Sequence, residues 1–257
     1  MSRLAYLLCA VLWLAVSSPA TSNEPSEEQI EQIIAKFAAK EAEFARAREN
    51  YTYRQTARVM EIDEAGNIRG RYEIVTDIIF SPVDGKRTER VVRAPVSTLR
   101  NLLLTPEDEQ DLRNVQPFVL TTEELPKYLI RYLGKQQVDE ISCYVFAVKP
   151  KKMEPGQRYF EGQIWVDDRD LQIVKTYGRG IGLLKRGSDN KFPKFETYRQ
   201  QIDGKYWFPT YTRADDVLHF ESGLDQRVRM IVKYEDYKQF KSETEIKYGS
   251  PVEQKKP

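Results

Sequence analysis

The stretch from Tyr159 to Gly178, YFEGQIWVDDRDLQIVKTYG, gathers Asp167, Asp168, Asp170, Glu161 and Trp165 close together. Carboxylates at that density could hold a divalent cation or divide general acid and base roles. The alternation around them points elsewhere. Phe160, Ile164 and Val166 alternate with Glu161, Gln163 and Trp165, as in a strand with one apolar face, and the aspartates follow where the chain must reverse. Asp favours such turns because its carboxylate accepts from nearby backbone amides. A calcium loop of the EF-hand type would need a glycine and a distant glutamate at set positions, where this chain has strand residues such as Leu171 and Ile173. The cluster reads as turn chemistry, and no metal site is expected.

Other chemistry-bearing residues give the same answer. The one histidine, His219 in DVLHF, excludes any site built on two imidazoles. A hydrolase would need a nucleophile poised against it, and no G-x-S-x-G elbow occurs. Gly178, Gly180 and Gly182 do not fit G-x-G-x-x-G, and Gly182 to Ser188 lacks the lysine of a P-loop. This glycine-rich run reads as a loop between strands that could form a lip. Cys143, in ISCYVFAV, reads as a buried small hydrophobe. Asn50 begins an NYT sequon that reads as accidental. No catalytic residue and no cofactor are expected.

The residues that would position a site begin after MSRLAYLLCAVLWLAVSSPA, residues 1–20. Here one cation, Arg3, precedes an apolar run closed by Ser18-Pro19-Ala20, the pattern of a cleaved secretory signal. The run is shorter than the ~20 apolar residues that span a bilayer. An exported protein is expected, with one domain over 24–241 and a polar tail over 242–257. The 40 basic and 39 acidic residues nearly cancel, which argues against nucleic acid as a partner, since such partners leave a basic footprint. Without its first 20 residues the chain keeps one cysteine, so no intramolecular disulfide can form.

Ser26 with Gln29 forms a capping box, and Ile30, Ile33, Ile34, Phe37, Phe44 and Ala45 follow on one helical face. After Tyr51 the period changes to two, with turn residues at short intervals, as in a meander of antiparallel strands. The first run is Tyr51 to Ile62, Arg69 to Phe80, Lys86 to Val92 and Leu99 to Leu104. The second runs from Glu140 to Tyr237, with its clearest hairpin at Asp203-Gly204. Between them a short helix is expected from Thr105-Pro106 to Leu112. Another is expected from Thr122, with Leu125, Tyr128, Leu129, Tyr132 and Leu133 as its apolar stripe.

The fold class expected is α+β, mostly antiparallel: a strongly curved, half-open barrel with an N-terminal amphipathic helix and short lid helices. Tyr72, Ile74, Ile78 and Phe80 share one face of their strand. Val228, Met230, Val232 and Tyr234 oppose Arg227, Arg229 and Lys233. A curved sheet incompletely filled by its helices leaves an apolar groove; a sheet completely packed by them does not, and composition favours neither. GKYWFPTYTR concentrates Trp207 and Tyr211 beside Pro209, which cannot donate to a ladder, so this strand is expected at an edge or with a bulge. The edge would suit an aromatic interaction surface.

The order of signal peptide, capped helix, first sheet run, lid-like helices and a second run containing YVFAVKP and GQIWVDDRDLQIVKT resembles the outer-membrane lipoprotein-sorting (LolA-like/LolB-like) superfamily over roughly residues 24–240. VQPFVLTTEELPKYLIRYLGK and QQIDGKYWFPTYTRADDVLHF resemble an exported bacterial subgroup. The resemblance implies a periplasmic, non-enzymatic carrier that holds the acyl chains of lipoproteins or lipids on its concave face. The chain-binding residues would be Tyr72, Ile74, Ile78, Phe80, Ile164 and Val166, under a lid carrying Leu125, Leu129 and Leu133. Membrane-bound donor and acceptor proteins are implied as partners. A basic residue that governs the lid would be Arg54 or Arg58. The segment YGRGIGLLKRGSDNKFP departs from the carriers by its length. The alternative from the residues themselves is an envelope-sensing or protein-interaction module using the aromatic strand.

Overall fold

The computed structural model of the chain describes residues 24–81, 86–113, 118–183, 193–220 and 222–239. The expected signal segment and polar tail lie outside them. Helix α1, Glu27–Arg48, opens with the capping box: the Ser26 hydroxyl accepts from the Gln29 amide and the Gln29 side chain accepts from the Ser26 amide at 2.8 Å. Glu27 and Glu28 lie in its first turn and Arg46 and Arg48 in its last, each sign matching the helix dipole.

The strands are β1 (Tyr51–Ile62), β2 (Ile68–Phe80), β3 (Arg87–Ser97), β4 (Tyr128–Val138), β5 (Ile141–Pro150), β6 (Tyr159–Asp167), β7 (Ile173–Ile181), β8 (Phe195–Ile202), β9 (Tyr206–His219) and β10 (Asp225–Gln239). They form one antiparallel sheet in the order β3-β2-β1-β10-β9-β8-β7-β6-β5-β4, an open, curved half-barrel whose end strands β3 and β4 do not meet. All neighbours are sequential hairpins except β1 and β10, which join the two runs.

Directly opposed residues share a face. The register therefore carries one inner row across nine strands: Tyr72, Val59, Met230, Ala214, Phe195, Gly178, Gly162, Val148 and Ile130. The row is apolar throughout and has no side chain at its two glycines. Phe160 fills that gap. A Cβ on Gly162 would sit 2.9 Å from the ring and 2.2 Å from the Tyr177 carbonyl, and one on Gly178 would sit 2.7 Å from the same ring. Phe118 stacks on Phe160 with centroids 4.5 Å apart, and Phe195 lies 6.2 Å from it. These three rings divide the inner face into two cores, each touching Phe195.

Three expectations are corrected. From Thr122 the chain makes a single turn of 3-10 helix, Leu125–Lys127, and then continues as β4. Tyr128, Ile130 and Tyr132 face the core at period two, while Leu129 and Leu133 point outward, 47% and 37% exposed. The spacing of Leu125, Tyr128, Leu129, Tyr132 and Leu133 suits both periods, and pairing with β5 decides for the strand. Residues 99–104 are a loop rather than a strand. The strand holding Trp207 and Tyr211 lies inside the sheet, with β9 paired to β8 over Tyr206–Ala214 and to β10 over Tyr211–His219, so that of the two expectations, edge or bulge, the bulge holds. Pro209 is accommodated by a register shift between Tyr198 and Arg199, the bulge that its missing amide requires.

Candidate functional site

The two cores on the inner face are covered differently. Under α1, Phe37 meets Phe146 at 5.4 Å between centroids and packs with Ile164, Val166 and Ile173, all buried. The helix is also tied down by charge. Glu41 is completely buried, and its carboxylate accepts from Arg199 at 3.0 and 3.2 Å and from the Ile173 amide at 3.3 Å. The same guanidinium donates to the Phe118 carbonyl at 2.5 Å and lies 5.0 Å from the Phe44 ring. Burial pushes the Glu41 carboxyl above its ordinary value, against the opposing pull of Arg199. A desolvated charge held from both sides fixes the position of a helix rather than leaving it free to slide.

The other core has a thinner cover. Helix α2, Pro106–Arg113, has eight residues, too few to be stable alone. Thr105 caps it: its hydroxyl accepts from the Asp108 amide at 3.2 Å, while the Asp108 carboxylate accepts from the Thr105 amide at 2.8 Å. The preceding loop is held by Glu61. This fully buried carboxylate accepts the backbone amides of Arg100, Asn101 and Leu102 at 2.6 to 3.0 Å. Gly70 makes room for the loop, since a Cβ there would lie 2.5 Å from the Thr98 carbonyl and 2.7 Å from the Glu61 carboxylate. At the far end of α2, Gln55 donates to the Leu112 carbonyl at 3.3 Å.

Beneath this cover lies a cavity of about 80 Å³. Val59, Leu218, Val228 and Met230 form its floor, Leu102, Leu104 and Leu112 its roof, and Pro193 and Phe195 one wall. Asp108 also lines it, with its carboxylate engaged in the helix cap. The volume exceeds what one water needs, yet is about half of the ~150 Å³ apolar cavity that admits a benzene-sized guest. A longer hydrocarbon could enter only with displacement of α2. The described restraints include the Gln55 bond to α2 at Leu112, the Glu61 bonds to the loop before it, and Leu102 and Leu112 in the core.

The expected chain-binding residues divide between these regions. Tyr72 and Ile74 are buried in the core that contains the cavity, while Ile164 and Val166 are packed under α1. Ile78 is buried on the same face of β2. Phe80 ends β2 opposite Arg87, and its side chain lies outside the described residues. Leu125 packs at the margin of the α1 core, so the covering leucines of the cavity are Leu102, Leu104 and Leu112 instead. Sequence reasoning placed Val228 and Met230 on the apolar face but missed Val59, Leu218 and the loop leucines. Arg54 and Arg58 point outward from β1, to Asp77 at 2.8 Å and to Glu73.

The aspartate turn is structural. Asp168 accepts from Lys135 and Ser142, both at 2.8 Å. Asp170 accepts from the Trp207 indole at 2.7 Å, and Asp167 from the Arg169 amide at 2.8 Å. His219 is exposed and faces Asp225 at 2.7 Å. Cys143 is buried, and burial pushes its thiol up to about 12.

No protein-family model and no curated protein matches the chain. Solved structures do. The chain is similar to a DUF1329 family protein from Desulfovibrio piger, at 12% identity over 81% of this chain and 92% of that one, with a TM-score of 0.38. It is similar to a LolA superfamily protein from Nitrosomonas europaea, at 14% identity over 82% and 93%, TM-score 0.34. A third similarity is to a putative outer membrane lipoprotein-sorting protein domain from Vibrio parahaemolyticus, at 12% identity over 83% and 95%, TM-score 0.37.

Proposed function

We propose that this chain is a non-catalytic binder of acyl chains, carried by a lipid or a lipoprotein, which enter the inner face beneath α2. The observation that carries the reading is the apolar cavity between Met230 and Leu112, under a helix of only eight residues, whereas α1 is locked by the buried Glu41–Arg199 pair. Displacing α2 would open a larger apolar trough bounded by Phe195. Each methylene taken from water contributes ~0.8 kcal/mol, so a handful would offset the loss of the Gln55 and Glu61 bonds. No bond need be made or broken in the ligand. The expected export and periplasmic location, and membrane-bound donor or acceptor proteins, belong to the same proposal.

The test is uptake of a fluorescent fatty acid by the purified chain, alongside native mass spectrometry of protein taken from cells. Uptake is expected in the unaltered chain and lost in Met230→Glu, which puts a carboxylate on the cavity floor. Because that variant could unfold, Val59→Leu/Val228→Leu serves beside it; it narrows the cavity with apolar groups only and is expected to reduce uptake while keeping the fold. An unaltered chain that takes up no fatty acid and carries no lipid from cells would overturn the reading.

A further inference from the structure

The outer face of the sheet is not uniform in charge. Across β1, β2 and β3, each carboxylate binds two arginines: Asp77 takes Arg54 and Arg90 at 2.8 and 2.7 Å, and Glu73 takes Arg58 and Arg93. Asp215 likewise takes Arg227 and Arg229. At the other end, across β4 to β7, the outer face is hollowed into a groove of about 810 Å³. Four cations line it, Arg131, Lys149, Arg179 and Lys194, against one carboxylate, Glu161, already bonded to Arg179 at 3.2 Å. The side chains of Arg131, Lys149 and Lys194 are exposed and make no ion pair with any described residue.

Register places these cations together. Arg131 stands opposite Ala147, which stands opposite Gln163, then Tyr177; Lys149 stands opposite Leu129, and Glu161 opposite Arg179. The outward positions of β4 read Leu129, Arg131, Leu133, and the two leucines are 47% and 37% exposed. Tyr177 on the same face is 44% exposed. Lys151 and Lys152, both exposed, continue the positive charge past the end of β5.

We infer that this end of the outer face docks on the surface of a bilayer containing anionic phospholipid, with Arg131, Lys149 and Lys194 at the phosphates and Leu129 and Leu133 at the acyl boundary. Charge complementarity selects an anionic partner. The leucines select a membrane over a soluble polyanion: side chains of that kind gain nothing from an aqueous phosphate chain but gain burial at a headgroup boundary, while lysine and arginine stems lie along apolar surface with their heads in water. The chain as a whole is close to neutral, +1, so the attraction is local to this face. The inference does not depend on the cavity under α2.

The test is co-flotation of the full chain with vesicles of phosphatidylcholine mixed with phosphatidylglycerol, against vesicles of phosphatidylcholine alone. Partition is expected on the anionic vesicles and should weaken as salt is raised, since exposed charges are screened over ~10 Å or less at moderate ionic strength. Arg131→Gln/Lys149→Gln/Lys194→Gln should lower partition on the order of 100-fold, from ~1 kcal/mol per cation near an anionic surface. Leu129→Ser/Leu133→Ser should lower it further at unchanged charge. The control Lys36→Gln/Lys40→Gln/Lys238→Gln removes the same charge elsewhere and should keep most of the partition. Equal loss in the control, equal partition on neutral vesicles, or binding to a single-stranded oligonucleotide with none to vesicles would each overturn the inference. All these positions are exposed; circular dichroism spectra matching the unaltered chain verify that a loss of partition is not a loss of fold.

Discussion

The inner face is one apolar row covered in two ways. Under α1 the cover is 22 residues long, capped at its start, and pinned from within by Glu41 and Arg199. Under α2 it is eight residues long, held by a hydrogen bond from Gln55 and by the buried Glu61, which accepts from the amides of the loop before it. The first arrangement packs Phe37 onto Phe146 and Ile164; the second leaves about 80 Å³ empty. Short elements with few buried apolar contacts belong to the low-stability end of a structure. The α1 half is thus the more firmly held and the α2 half the one that opening should cost least, although both lie on one sheet and meet at Phe195.

The largest effect should come from breaking the pin. Arg199→Met leaves Glu41 buried without its counter-charge and should destabilise the chain by about 3–5 kcal/mol, read from urea unfolding. Glu41→Leu/Arg199→Met, which buries no charge, should recover most of that loss. If the single variant unfolds like the unaltered chain, α1 is not fixed by this pair.

Next in size is the clamp on the thinner cover. Glu61→Ala leaves the amides of Arg100, Asn101 and Leu102 without their acceptor and should cost about 2–3 kcal/mol. Amide exchange should accelerate in residues 98–112 and stay unchanged in α1; acceleration of both together would erase the distinction between the halves. A smaller effect is expected from filling the hollow. Val59→Leu/Val228→Leu should raise stability by about 1 kcal/mol while reducing fatty-acid uptake, and a loss of stability would mean that the space is already occupied.

The smallest effect concerns acid. Hydrogen bonds from Arg58 and Arg54 hold Glu73 and Asp77 below their ordinary values of 4.5 and 3.8. Their contribution is complete above those values and is lost as pH falls through the lowered ones. It should be small, because the arginines are exposed. Glu41 works in the opposite sense: its raised value favours the folded state below 4.5 and gives that up as pH rises through the raised value. Urea midpoints of Glu73→Gln/Asp77→Asn should fall less steeply in acid than those of the unaltered chain, and parallel curves would contradict the assignment.

Much of the architecture could be read from local pattern. Ser26 and Gln29 announce α1, Thr105-Pro106 announces α2, Asp203-Gly204 turns the hairpin between β8 and β9, and alternation in β2 and β10 identifies the inner face. The failures occur where distant partners decide. Leu129 and Leu133 read as a helical stripe because the segment satisfies both periods, and only pairing with β5 selects between them. At Trp207 and Tyr211, Pro209 allows an edge or a bulge, and only the pairing with β8 selects the bulge opposite Arg199. The site was half legible: Met230 and Val228 were visible as apolar positions. The clamp by Glu61 was not, since a buried glutamate has no local signature and its three amide partners lie about forty residues away.

In the proposed function α2 is the part that moves aside for hydrocarbon. Hydrogen–deuterium exchange of the purified chain, with and without a long-chain fatty acid, tests it most directly. The predicted result is a change confined to residues 99–112 and to the neighbourhood of Phe195, with the amides of α1 unaltered. Exchange identical in both conditions, or a change centred on α1, would contradict it.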